Sequence, residues 1–243
     1  GTGLKKDEFV CDCSDIDDII AFTRSGKLMV TRLGDKKFVG KDILHVAVWQ
    51  KNDERTAYNV AYYDGASKRT FVKRFNVTGV TRDKEYDITQ GAAGSKLLYF
   101  TVNANSESEV VRVQLHPSSA ARIKEFEFDF GSIDIKGRGA VGNIMTKFPV
   151  RKIDLVAKGD SSIGGLKLWM DNKFGRLSAE EKEKSTYLGE FNTGDQVLVV
   201  FKDGAIELTN FEMTNKYEME EIYLVEKFNP DKVYSCVYFD GDS

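Results

Sequence analysis

Arg138 stands between two glycines in the run Ile135-Lys136-Gly137-Arg138-Gly139-Ala140-Val141-Gly142-Asn143. Three glycines in six residues permit φ > 0 and let peptide N–H groups approach an anion with no Cβ in the way. A guanidinium between them is an exposed fork that can hold phosphate oxygens bidentately. The spacing GxGxxG is formally present at Gly137, Gly139 and Gly142, but a dinucleotide site needs a preceding strand, a following helix and a βαβ setting. The stretch from Asn143 to Pro149 is instead strand-like and ends at a proline. A Rossmann site is not supported. A phosphate contact and a glycine-bent strand crossing between sheets are both compatible with the run.

Other reactive side chains are sparse. Cys11, Cys13 and Cys236 are an odd set, and a Cys-x-Cys pair does not easily close a disulfide. They read as free thiols in a reducing compartment. Only two histidines occur. His45 lies in the apolar run 43–49 and reads as a packed strand residue, and His116 before Pro117 reads as a strand end or turn. No Ser-His-Asp triad, two-histidine metal site or HExxH motif is supported. Asp15, Asp17 and Asp18 lack the remaining ligands of a calcium loop and read as a solvated strand entry.

Charge is uneven. The 243 residues sum to −3, which by itself argues against a nucleic-acid binder. Residues 178–243, however, hold 15 acids and 6 lysines, about −9, which leaves about +6 on residues 1–177. Three stretches there are almost purely basic. The first carries Arg24, Lys27, Arg32, Lys36, Lys37 and Lys41. The second carries Lys68, Arg69, Lys73, Arg74 and Arg82, with no acid over 66–82. The third carries Lys136, Arg138, Lys147, Arg151 and Lys152, with no acid over 135–153. Each falls on or just after an expected hairpin, so repetition of the hairpins would set the clusters at similar heights on neighbouring sheets. Such a row of cations can follow a phosphate backbone, each contact contributing about −0.9 to the salt slope on duplex DNA. With no helix to enter a groove, contacts would be to phosphates and largely independent of sequence.

The elements that must carry these residues are strands. Short β-branched and aromatic runs alternate with Gly, Asp, Asn and Ser. Hairpins are expected at Gly26, at Asp64-Gly65, between 97–100 and 110–113 through Asn105, at Asn172, at Gly204 and at Gly241. These turns recur about every 43 residues, the period of four-stranded propeller blades. The one expected helix covers 178–183, with Ser178 as N-cap and Glu181 completing a capping box. WD-repeat signatures are absent, since Trp49 precedes Gln50 and Trp169 precedes Met170. No apolar run approaches the roughly 20 residues of a membrane helix. One all-β domain over 4–243 is expected, with five to six four-stranded blades. Gly1-Thr2-Gly3 reads as a tag or linker remnant. Val237 to Gly241 reads as a strand entering a turn, a hairpin without its return strand, as in a fragment of a longer protein.

With hairpins of the form Phe22-Thr23-Arg24-Ser25-Gly26-Lys27, a blade-like period and the Gly/Arg loop, the chain resembles the C-terminal domain of the A subunit of bacterial type IIA topoisomerases, DNA gyrase and topoisomerase IV. The resemblance covers the chain from about Phe9 onward. It implies a β-pinwheel, a propeller-like fold in which neighbouring blades exchange strands, and duplex DNA wrapped or bent around a basic rim for strand passage. The gyrase-type box, Gln-Arg/Lys-Arg-Gly-Gly-Arg/Lys-Gly, aligns on Lys136 through Gly142 with matches at Arg138, Gly139 and Gly142. The other four positions depart from it, and the box lies in the third blade rather than early in the domain. Both departures favour a topoisomerase IV-like role over gyrase.

The resemblance further implies no catalysis by this chain alone, because the cleaving tyrosine and the metal-binding acids lie in other domains. It implies no cofactor here, and ATP and Mg in the full enzyme. The implied partners are double-stranded DNA, the other domains of the same topoisomerase polypeptide and the ATPase B subunit, in a bacterial cytoplasm, nucleoid-associated and without a membrane. The expected phosphate contacts are the cations of the three clusters from Arg24 to Lys37, Lys68 to Arg74 and Lys136 to Lys152, with Gly139 and Gly142. The competing reading is a propeller-type protein-interaction scaffold without DNA binding, which would use an aromatic pocket instead of a basic rim.

Overall fold

Alternating apolar and polar residues between glycine and Asx turns give strands almost throughout. The computed structural model describes residues 10–11, 13–34 and 37–237. In chain order the strands are β1 (Asp18–Thr23), β2 (Lys27–Arg32), β3 (Ile43–Trp49), β4 (Ala57–Tyr63), β5 (Thr70–Asn76), β6 (Glu85–Asp87), β7 (Lys96–Asn103), β8 (Glu107–Leu115) and β9 (Glu125–Asp129). They continue as β10 (Ile135–Gly137), β11 (Asn143–Thr146), β12 (Val150–Ser161), β13 (Leu166–Asp171), β14 (Arg176–Ser178), β15 (Ser185–Phe191), β16 (Val197–Phe201), β17 (Ile206–Thr209) and β18 (Ile222–Lys227). One 3-10 turn, Phe130–Ser132, is capped by the Asp129 carboxylate, which accepts from Gly131 N.

The pairing obeys a repeated rule. A hairpin forms first and a third strand returns beside the hairpin's first strand; in the first two sheets a further strand is lent to the hairpin's outer edge from downstream. Thus the first sheet runs β3-β1-β2-β6, where β6 is lent from beyond β5. The second runs β10-β5-β4-β7, and β11 also pairs β5. The other three sheets run β12-β8-β9, β14-β13-β15 and β17-β16-β18. Arg176 on β14 makes an isolated antiparallel bridge to Lys216, a trace of the same lending. This all-β, strand-exchanging arrangement is the β-pinwheel type that was expected, with sheets of four, five, three, three and three strands where four each were expected.

Two expectations are corrected. Residues 97–100 and 110–113 do not form a hairpin: β7 pairs β4, whereas β8 pairs β9 and β12. Asn103–Ser106 carries the chain from one sheet to the next, and its turn residues mark a change of direction without naming the partner strand. Nor is there a helix over 178–183. Ser178 ends β14, and its hydroxyl accepts from Glu180 N and donates to Glu180 O, closing a tight turn instead of capping a helix. Six residues are too few to repay helix nucleation without packing. The hairpins at Gly26, Asp64-Gly65, Asn172 and Gly204 form as expected. The turn at Gly241 lies outside the described residues.

Two units divide the chain, Gly1–Ile163 and Gly164–Ser243. In the first, Phe22, Leu28, Tyr58, Val60, Phe75 and Ile88 form one core cluster. Phe22 meets Tyr58 and Phe100 at ring centroid distances of 4.6 and 4.8 Å. A second cluster joins Ala61 and Val72 to Val111, Val113 and Phe130, so the second sheet is packed on both faces. His45 sits on β3 near Phe22 and Phe100, as a packed strand histidine, and burial lowers its pKa. Leu168, Met170, Phe191, Val197 and Val199 centre the second unit. All three cysteines are exposed free thiols.

Candidate nucleic-acid interface

The Gly/Arg run is built on one edge of β5. β10 pairs that edge in parallel, Ile135 opposite Arg74, and β11 pairs it antiparallel, Asn143 opposite Val72. Residues 138–142 therefore arch away from the edge and return to it. Three side-chain contacts hold the arch from below. The Lys73 ammonium donates to the carbonyls of Arg138 at 2.7 Å and Ala140 at 2.9 Å, and the Tyr62 hydroxyl donates to the Val141 carbonyl at 2.7 Å. Gly142 closes the arch at φ +91°, where an added Cβ would lie 2.3 Å from the Val72 carbonyl oxygen. Gly137 and Gly139 have open space around them and negative-φ or extended backbone, so only one of the three glycines is required by conformation.

Lys73 is 2% exposed, with its ammonium 5.0 Å from the Phe75 ring centroid and 5.9 Å from that of Tyr62. Burial pulls its pKa down to about 8. Burial, and then the charges of Asp64 and Asp87, push the Tyr62 hydroxyl up to about 12. Arg138 is half-buried, not the exposed fork expected. Its guanidinium lies over the Tyr86 ring at 4.2 Å and donates to the Gly79 carbonyl at 2.8 Å.

The segment 88–95 draws the clusters together. Ile88 N donates to Gly26 O at 2.8 Å, and Leu97 N to Arg24 O at 3.3 Å, tying it to the β1–β2 tip. The Gln90 side-chain amide reaches the carbonyls of Gly139 and Ala140 at 3.5 Å. At its far end the Ser95 hydroxyl accepts from Gly65 N at 2.9 Å, at the β4–β5 tip that carries Lys68 and Arg69. One uncharged segment therefore borders the tips of two hairpins and the Gly/Arg arch. Sequence reasoning passed over it. The signal was there in the absence of charge over 88–95, with Gly91 and Gly94 both at positive φ.

The candidate cations fall into three groups. Arg24, Arg32, Lys68, Arg69, Lys136, Lys147 and Arg151 are exposed and have no carboxylate partner among the described residues. Lys27 pairs with Asp87 at 3.0 Å and Glu85 at 3.4 Å, Lys37 with Asp83 at 2.7 Å, and Lys152 with Asp154 at 2.7 Å. Lys73 and Arg74 are buried, so the expectation that they touch phosphate is corrected. Arg74 is 1% exposed and donates to Asn59 Oδ1 at 3.0 Å, Ser106 O at 2.9 Å and Glu107 O at 3.1 Å. Asn59 in turn donates to the buried Glu109 carboxylate at 2.7 Å. Consecutive strand residues face opposite ways, but β5 is covered on both faces, so neither side chain reaches solvent. Lys36 lies outside the described residues.

No curated protein matches the chain. Among solved structures, a crystal structure of the C-terminal domain of DNA topoisomerase IV is similar over 87% of this chain and 79% of that one, at 11% identity and a TM-score of 0.39. The family model described as the topoisomerase C-terminal domain of Bacteroidota matches residues 1–158 and 176–243. That match spans nearly the whole sequence, the Gly/Arg arch and all three basic clusters included, and the chain therefore belongs to the topoisomerase C-terminal domain family of Bacteroidota.

Proposed function

We propose that this domain binds duplex DNA through the phosphate backbone on behalf of a type IIA topoisomerase and does no chemistry of its own. The observation that carries the reading is the gathering, beside the Gly/Arg arch and the 88–95 segment, of exposed cations with no carboxylate partner among the described residues. Phosphate contacts made by long, separately mounted side chains fix position without reading bases. Lys136 leads into the arch from β10, and Arg24, Lys68 and Arg69 stand at the two hairpin tips that segment 88–95 borders. Lys147 follows β11, whose last residue pairs with Thr70 beside the second tip.

The degenerate box, three matches in seven over Lys136–Gly142, supports a topoisomerase IV-like role, relaxing or decatenating, in preference to gyrase. On this reading the partners are the other domains of the same topoisomerase polypeptide and the enzyme's ATPase subunit, and the domain holds no cofactor. A gel-shift titration with a duplex of a few hundred base pairs at two salt concentrations tests the binding. Retardation that weakens steeply with salt and is indifferent to sequence is expected. No retardation at the lower salt would sink the reading.

A further inference from the structure

The carbonyls of the arch point inward, and that fixes where its N–H groups point. In a trans peptide the C=O of one residue and the N–H of the next are directed oppositely, and the described chain contains no cis peptide. The carbonyls of Arg138, Ala140 and Val141 are drawn down by Lys73 and Tyr62. The N–H groups of Gly139, Val141 and Gly142 are therefore turned away from the protein body. None of the three has an acceptor among the described residues, whereas Ala140 N is spent on Gly137 O at 3.0 Å. Gly139 and Val141 are exposed and Gly142 is half-buried, and the Gln90 amide that reaches the arch donates to the Gly139 and Ala140 carbonyls, leaving these N–H groups unused.

A second feature points to an anion. The Lys73 ammonium is buried directly behind the arch and makes no ion pair with a carboxylate among the described residues, although the charge of Asp87 acts on it from farther off; its two hydrogen-bond acceptors are neutral carbonyls. A buried cation in a medium of low dielectric raises the potential at the donors in front of it and polarises the peptide groups that bridge the two.

Resting on the duplex-binding reading, we infer that the N–H groups of Gly139, Val141 and Gly142 form a seat for a phosphodiester oxygen, and that Lys73 and Tyr62 are the positioning residues that aim them. Neither side chain touches the phosphate. The seat distinguishes this loop from the surface lysines around it: it contributes hydrogen bonds of fixed direction, where they contribute mobile charge.

The mechanism has a thermodynamic signature. Neutral N–H donors do not replace condensed counterions, while each direct lysine–phosphate contact contributes about 0.9 to the salt slope. Binding of a fluorescent duplex of about 20 base pairs to the full chain, measured over a salt series, separates the two. Lys73→Met and Tyr62→Phe are each expected to weaken binding about tenfold with the slope unchanged, as fits the loss of aimed hydrogen bonds to a charged group. Lys136→Ala is expected to lower the slope by about 0.9. A slope lowered by Lys73→Met, or affinity unaffected by both variants, overturns the seat. Tyr62→Phe keeps the ring and removes only the hydroxyl, so it serves where Lys73→Met fails to fold.

Amide spectra of the 15N-labelled chain give the independent readout. Downfield shifts of the Gly139, Val141 and Gly142 protons are expected on adding the duplex, and smaller ones on adding inorganic phosphate. Duplex binding that leaves these three amides unmoved overturns the seat and keeps the DNA reading. Phosphate shifts without duplex binding keep the seat and overturn the DNA reading.

Discussion

The Arg138 guanidinium lies over the Tyr86 ring, 4.2 Å from its centroid, and donates to the Gly79 carbonyl at 2.8 Å. One face of the arginine that most resembles a phosphate fork is thus committed within the fold. Arg138→Ala is expected to lower unfolding stability by about 1 kcal/mol, from the lost cation–π contact and hydrogen bond, in addition to weakening DNA binding. Urea unfolding checks the first effect and fluorescence anisotropy the second. Wild-type stability in the alanine variant would show that the stacking contributes nothing.

Exposed cations differ in whether a carboxylate already holds them. Lys136→Ala, Lys147→Ala and Arg151→Ala should each reduce the salt slope of duplex binding by about 0.9, because each gives up a phosphate contact. Lys27→Ala, Lys37→Ala and Lys152→Ala should reduce it by less than half as much, since DNA must first displace Asp87, Asp83 or Asp154. Equal slopes across the two sets would show that the ion pairs do not matter to binding.

Gly142 and Gly139 look equivalent in the sequence. Gly142→Ala places a Cβ against the Val72 carbonyl at positive φ and should cost about 2 kcal/mol, whereas Gly139→Ala should lie within about 0.5 kcal/mol of wild type. Chemical denaturation of the two variants decides it, and a reversed order would contradict the arch geometry.

Arg74 belongs to the interior. Replacing it with Met strands the polar groups of Asn59, Ser106 and Glu107 and leaves the Glu109 carboxylate buried with one cation fewer nearby. A loss of about 3 kcal/mol is expected, with binding per folded molecule unchanged. A variant that folds normally yet binds DNA poorly would return Arg74 to the interface.

Burial lowers the pKa of His45, whose Nε2 is buried without a hydrogen-bond partner. The unfolded chain therefore takes up the proton first. Stability is fully present above about pH 6.5 and is lost as the pH falls through the lower folded value. Urea midpoints between pH 7.5 and pH 5 should decline, and His45→Phe should flatten that decline. An equal slope in both proteins would assign the effect to other groups.

The strands and most hairpins were legible because alternation of apolar residues and Gly or Asx turns are local signals. Gly26, Asp64-Gly65 and Gly204 close hairpins whose two arms lie within a few residues of each other. The connection at Asn103–Ser106 carries the same turn residues, yet its arms belong to different sheets. Strand exchange was expected from the resemblance alone, and which strands are lent was not legible in the residues for the same reason: β6, β10 and β11 are three or four residues long, and their partners lie over 50 residues away in sequence.

Composition and spacing alone determined an all-β chain, the uneven distribution of its charge and the glycine-rich, basic character of the run Ile135–Asn143. These depend on residue types and short-range periodicity, which a linear text contains. Only the tertiary structure decided which cations face solvent. Lys68 and Lys73 stand five residues apart in one basic stretch, but one caps a hairpin tip and the other lies beneath the Gly/Arg arch. Whether a charged side chain meets water or packed protein depends on what covers both faces of its strand. For β5 those covers come from sheets assembled out of distant segments.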